Sequence, residues 1–123
     1  MGFDFGNRKI GVAVGQTVTQ TASALAIIRA RDGKPDWDQL DILVAEWQPH
    51  LFVVGLPLNM DDSISEMAQA AKRFARLLEA RYQTPFAMMD ERLTSFEARE
   101  TATEDEIDAI AARLILESFM NQA

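Results

Sequence analysis

The first fifteen residues constrain the fold more than any other stretch of the chain. A short apolar strand runs into Asp4, a tight turn carries Gly6, Asn7, Arg8 and Lys9, and a second apolar strand follows over 10–14. Asp4 stands between Phe3 and Phe5 in sequence, so burial of its carboxylate is costly unless a cation or a donor compensates. Gly6 and Asn7 already supply what the turn needs, which leaves Asp4 free of a purely local duty. An aspartate at a strand end, beside a glycine turn with basic residues, suits a metal ion held against a phosphate.

Composition removes other chemistries. The chain has no cysteine, which excludes disulfides and thiolate metal sites. Its single histidine, His50, follows Pro49 and reads as an ordinary loop residue. No segment approaches a membrane span, and a signal-peptide layout is missing. Length predicts one domain over 1–123, large enough to enclose a core. Nineteen acidic against twelve basic residues give a net charge of -7, the wrong sign for nonspecific polyanion binding. The charges are uneven, however. Arg8 and Lys9 cluster at the first turn, Lys72, Arg73 and Arg76 on one helix, and Arg92 and Arg99 after the last strand. A basic rim around a carboxylate site is compatible with an acidic protein.

The element order is readable. A third strand is expected over 24–29, ended by the turn cluster Arg31-Asp-Gly-Lys-Pro. Asp36 starts a helix with Trp37, Leu40, Leu43, Val44 and Trp47 on one stripe, stopped by Pro49. Sharing that stripe makes both tryptophans core candidates. Residues 51–55 form a continuous apolar run typical of a strand covered on both faces. Ser63 with Glu66 reads as a capping box opening a helix to about Tyr82, with Met67, Ala70, Ala71, Phe74, Leu77 and Leu78 buried. Its Lys72, Arg73 and Arg76 read as a solvated face. A fifth strand over 85–89 leads into Asp90, Glu91 and Arg92. A last helix over 105–120 buries Ile107, Ile110, Ala111, Leu114, Ile115 and Ser118.

Three consecutive strands form a meander, whereas strands joined through helices are parallel with right-handed crossovers. The result is an α/β fold with a five-stranded mixed sheet and helices on both faces. Ligands in such sheets gather beyond the carboxyl ends of the parallel strands. Asp4, then Asp90 and Glu91, end strands there. The loop 56–62 leaves on the same side, and the last helix starts there with Asp108 in its first turn. Acids in a first helical turn are favoured by the macrodipole alone, so Asp108 carries less weight than Asp4. Several carboxylates on one edge suit Mg²⁺ or Mn²⁺, which take hard oxygen ligands. Two such ions roughly 3.5–4 Å apart can activate water and stabilise the leaving oxygen of a phosphodiester. Asp4, Glu91 and Asp108 are the candidate cage, with Asp90 as alternate or outer ligand. Arg8, Lys9 and Arg92, with Asn59 from the loop, are the candidate nucleic-acid contacts.

At this point the residues carry a resemblance. Phe3-Asp-Phe-Gly followed by Ile10-Gly-Val-Ala-Val-Gly, Val53-Val-Gly-Leu-Pro-Leu-Asn-Met, Asp90-Glu-Arg-Leu-Thr-Ser and Ile107-Asp-Ala-Ile-Ala-Ala resemble the YqgF family, in order over nearly the whole chain. The resemblance implies a ribonuclease-H-like fold shared with Holliday junction resolvases. It also implies a bacterial, cytoplasmic, metal-dependent nuclease. The activity implied is maturation of the 5′ end of pre-16S rRNA or resolution of Holliday junctions. Structured RNA or branched DNA would be the partner, with no membrane, and the protein a monomer or weak homodimer. By position, the family's functional acids fall on Asp4, Glu91 and Asp108.

Three departures qualify this. Related resolvases end the fourth strand with a carboxylate where this chain has Gly55-Leu-Pro-Leu, so the metal arrangement is expected to differ. The family's longer glycine- and lysine-containing loop is reduced to Glu100-Thr-Ala-Thr-Glu-Asp, read as residues missing from the sequence rather than deleted, since loops near substrate sites are commonly mobile. Met1 stands only three residues before Asp4, which implies a missing leader. Two other classes fit less well. A non-catalytic nucleic-acid-binding module would keep the fold with a degenerate site. The phosphate-binding half of an actin-like ATPase shares an Asp-x-Gly hairpin but needs a second domain.

Overall fold

The computed structural model describes residues 1–16, 18–57, 65–90 and 104–121, with 104–108 described by backbone alone. The opening segment forms the expected meander: β1 (Gly2–Asp4) pairs antiparallel with β2 (Lys9–Gln16), and β2 with β3 (Thr21–Arg31). Beyond β3 the chain turns through Asp32 (φ 53°) and Gly33 (φ 80°). Positive φ at both central positions of a two-residue loop is the type I′ geometry that matches strand twist. The expected turn cluster therefore makes a hairpin, and β4 (Lys34–Pro35) is a sixth strand where five were expected.

Crossovers follow through α1 (Trp37–Trp47) to β5 (Phe52–Leu56), and through α2 (Glu66–Tyr82) to β6 (Phe86–Asp90); α3 (Glu104–Met120) ends the chain. The sheet order is β4-β3-β2-β1-β5-β6, with β1, β5 and β6 mutually parallel. The shortest of the three parallel strands thus lies at the centre, with Asp4 at its carboxyl end.

The two sheet faces bury separate cores. On one, Phe3, Ile10, Val12 and Val54 pack against Leu40 of α1 and Ala71, Phe74 and Leu78 of α2. Phe74 sits amid rings, with centroids 5.4 Å from Phe3, 5.2 Å from Phe5 and 6.4 Å from Trp37. On the other, Ala13, Val53 and Met89 pack against Ala112, Ile115 and Leu116 of α3. The close approach of α3 depends on glycine. A Cβ at Gly2 would stand 2.8 Å from Leu116 Cβ and 3.2 Å from the Ala112 carbonyl oxygen.

At the surface α1 and α2 are clasped together. Arg81 donates two hydrogen bonds to the Asp41 carboxylate, at 2.8 and 2.7 Å, and the Tyr82 hydroxyl donates a third at 2.6 Å. The Arg81 guanidinium also lies 4.8 Å from the Trp37 ring centroid, a cation–π contact. These partners hold the Asp41 carboxyl down at about 2.

Several local expectations are corrected. The N-cap of α2 is Ser65, whose hydroxyl accepts from the Ala68 N–H at 3.0 Å; Ser63 lies outside the described residues. Leu77 is 53% exposed, because at 100° per residue it falls roughly 120° from the centre of the stripe built by Ala68, Ala71, Phe74, Ala75 and Leu78. Trp47 is 45% exposed at the last turn of α1, while Trp37 joins the core. Among the described side chains of α3 the buried positions are Ala112, Ile115 and Leu116, while Ile110, Ala111, Leu114 and Ser118 are half-buried; Ile107 lies outside the described side chains. No described helix is long and apolar enough to cross a membrane.

Candidate active site

Strand alternation decides which side chains share a face. Gly2 and Val53 look towards α3, and their neighbours Phe3 and Val54 look towards α1 and α2. Successive residues of a strand point to opposite faces, so Asp4 returns to the α3 face. Its antiparallel neighbour is Gly11. On the other side the β1–β5 register, carried one residue further, brings Gly55 beside it. Asp4 therefore has no side chain in the cross-strand positions on either flank.

The direction of α3 brings a second acid to this end. Gly2 faces Ala112 and Leu116, whereas Gly15, at the other end of the sheet, faces Leu116 and Met120. The helix thus runs antiparallel to β1, its amino end approaching the Asp4 end. Asp4 is two residues beyond Gly2, about 7 Å along the strand, and Asp108 is one helical turn, about 5.4 Å, before Ala112. The backbone of Asp108 therefore comes level with Asp4. With α3 beginning at Glu104, Asp108 opens its second turn rather than lying in its first.

Asp90 ends β6, opposite Leu56, at the same end of the sheet. Its face is different. Met89 belongs to the α3 core and Met88 to the α1–α2 core, so alternation turns Asp90 away from Asp4. Glu91, Arg92 and Asn59 lie outside the described residues, as do side-chain features of Asp108. Among the described residues no three histidine, aspartate or glutamate side chains converge as a metal site.

The basic residues divide as well. Arg8 is exposed in the turn before β2. Lys9 opens β2 on the α3 face, two residues from Gly11, with Arg29 directly opposite on β3. Arg31 and Lys34 face each other across the β3–β4 hairpin. Ala30 packs into the α1–α2 core and Pro35 is buried, so alternation puts Arg29, Arg31 and Lys34 on the α3 face. Sequence reading passed over these three. The spacing Arg29-x-Arg31 carries the signal, but only once the strand is known to continue through 31. Lys72, Arg73 and Arg76 lie on α2, on the opposite side of the sheet. Arg73 and Arg76 are exposed there. A cavity of about 400 Å³ opens at the far end, between Met1, Gly15, Trp47, Leu51, Phe119 and Met120; its lining carries no acid.

Known proteins can be set beside this geometry. A solved structure of Thermus thermophilus RuvC in complex with a Holliday junction substrate superposes with a TM-score of 0.58 at 11% identity, covering 97% of this chain and 90% of that one. A second Thermus thermophilus RuvC structure gives 0.55 at 10% identity. At such identities the likeness establishes the fold, which is ribonuclease-H-like. In sequence, a Saccharophagus degradans protein named "Putative pre-16S rRNA nuclease" is 47% identical over 131 residues, covering 99% of this chain and 92% of that protein. A Coxiella burnetii protein of the same name is 46% identical over 129 residues, with the same coverage. These matched stretches exceed the 123 residues of this chain, so the relatives are longer within them. The family model described as "RuvX: Holliday junction resolvase" matches residues 1–122, and the chain belongs to that family.

Proposed function

We propose that this protein is a divalent-metal-dependent nuclease that hydrolyses phosphodiester bonds in pre-16S rRNA during its maturation. Its active edge would lie at the carboxyl ends of β1 and β6 on the α3 face. The observation that carries the reading is Asp4: it ends the central strand, faces α3 between two glycines, and comes level with the helix position of Asp108. The names of the relatives at 46–47% identity supply the substrate, and the family description supplies the four-way DNA junction as the competing one.

The donor set fits Mg²⁺ or Mn²⁺, since it consists of carboxylate oxygens and contains neither thiol nor imidazole. Asp4, Glu91 and Asp108 are proposed as ligands. Glu91 is preferred to Asp90 because alternation turns Asp90 itself away from the face of Asp4. When bound, the metal would activate water and stabilise the leaving oxygen. The chain's own contribution is to orient. Carboxylates on a strand end and on a packed helix are held by the backbone rather than by flexible loops. Arg8 and Lys9, with Arg92 and Asn59, would hold the phosphates at and beside the scissile bond.

The experiment is a side-by-side cleavage assay on precursor rRNA and a four-way DNA junction with Mg²⁺ or Mn²⁺, resolved on denaturing gels. Wild type should cleave the rRNA precursor. Glu91→Gln should abolish product, whereas Asp90→Asn should keep most of it. Absence of product from both substrates would overturn the nuclease reading; junction cleavage alone would overturn the substrate.

A further inference from the structure

Arg29, Arg31 and Lys34 form a basic row that neither the motifs nor the site above accounts for. All three are exposed, and among the described residues their side chains make no hydrogen bond or ion pair. The backbone holds them together. Lys9 stands directly across from Arg29, and Arg31 from Lys34. Like charges opposite one another on a sheet are destabilising, and here two such pairs lie in succession on one face. The adjoining turn joins them to Arg8, since the Ala30 N–H donates to the Arg8 carbonyl at 2.8 Å and that of Gly33 to the Asn7 carbonyl at 3.0 Å. Two acids beside Arg31 and Lys34 do not neutralise them: Asp32 makes no ion pair among the described residues, and Asp36 is engaged in capping α1. In a chain of net charge -7, such a concentration is a local field suited to a polyanion.

Distance then separates this row from the scissile phosphate. From β1 to β3 is two strand spacings, about 10 Å, and Arg29 and Arg31 lie about 7 and 13 Å further along than Asp4. A phosphate at the carboxylates is out of reach of Arg31 and Lys34. A sugar–phosphate backbone that continues from it across β2 towards β4 passes over all three.

We infer that Arg29, Arg31 and Lys34 are a binding track for the phosphodiester backbone flanking the cleavage point, carrying the substrate off the carboxylate edge along the α3 face towards β4. The inference rests on the nuclease reading for its substrate class, and it assigns the side on which the flanking nucleic acid leaves.

The test is binding without catalysis. Fluorescence anisotropy would follow a labelled pre-16S rRNA fragment, without divalent metal, at a series of salt concentrations. Two matched triple variants each remove three charges: Arg29→Gln with Arg31→Gln and Lys34→Gln, and, on the other side of the sheet, Lys72→Gln with Arg73→Gln and Arg76→Gln. The first should weaken binding and flatten the log–log salt slope by about two units, at roughly 0.7–0.9 for each phosphate no longer neutralised. The second should leave the slope near wild type. Arg29→Lys with Arg31→Lys, which keeps charge, should restore most of it. Equal slope changes in both triples would mean that net charge alone acts, and an unchanged slope in the first would mean that the row touches no phosphate. Either result overturns the track, and neither bears on cleavage. Conversely, a wild type that binds with the expected slope but never cleaves would end the nuclease reading and leave the track standing.

Discussion

Substituting alanine at Gly2 tests how the fold places the site. The new Cβ would stand 2.8 Å from Leu116 Cβ and 3.2 Å from the Ala112 carbonyl oxygen. Neither atom is the far end of a flexible side chain, so β1 or α3 must move. Forcing a methyl group into packed structure costs about 1–3 kcal/mol. Replacing glycine within a strand returns about 0.5–1 kcal/mol of backbone entropy. The net cost is roughly 1–2 kcal/mol, or a fall of about 4–8 °C in Tm at roughly 4 °C per kcal/mol for a chain of this size. Gly15→Ala is the matched control. Its Cβ would meet Leu116 Cδ2 and Met120 Cε at 3.0 Å, side-chain ends that can swing aside, so its Tm should stay within about 2 °C of wild type. Thermal unfolding followed by circular dichroism measures both. Because the displaced helix carries Asp108, Gly2→Ala should also lose more cleavage than its stability predicts. Equal Tm values for the two variants would refute the claim that close backbone approach, rather than side-chain filling, positions α3 over β1.

Two further outcomes follow from the packing. Phe74→Ala, which empties the centre of the aromatic cluster, should cost about 3–5 kcal/mol, read as a lowered urea midpoint; a loss below about 1 kcal/mol would contradict its central place. Asp41 is held at about 2 by its hydrogen bonds from Arg81 and Tyr82, below the unfolded value of about 3.9. Its contribution is therefore complete above about pH 4 and lost as pH falls towards 2. Asp41→Asn should be less stable than wild type at pH 7, with the gap closing between pH 4 and pH 2 in pH-dependent urea melts. A gap independent of pH would remove the carboxylate from the α1–α2 clasp.

Much of this architecture is legible in the sequence because it depends on short-range pattern. Apolar runs broken by glycine, proline and capping residues give the strands, the helices and Asp4 at a strand end. What is not legible depends on partners. The Asp32-Gly33 hairpin needs both residues at positive φ and a strand beside it. The buried side of α3 is set across the core, where Gly2 lets Ala112 and Leu116 come close, and the apolar spacing of the helix alone does not single these out from Leu114 and Ile110. Trp47 fits the apolar stripe of α1 but stands at its last turn, where the sheet no longer covers it. The faces of Asp90 and of Arg29, Arg31 and Lys34 follow from strand register, which a single sequence does not encode locally. The candidate acids could thus be named from sequence, whereas the preference for Glu91 over Asp90 required the sheet.

Single-turnover cleavage of precursor rRNA by Asp4→Asn, with saturating Mg²⁺ or Mn²⁺, tests the central claim most directly. The substitution keeps the side chain's size and removes its charge. Loss of a direct metal ligand should exceed the roughly 10–100-fold that outer partners of metal sites cost, while the unfolding temperature without metal stays at or above that of wild type. An Asp4→Asn protein that cleaves at the wild-type rate would contradict a carboxylate metal site at the end of β1.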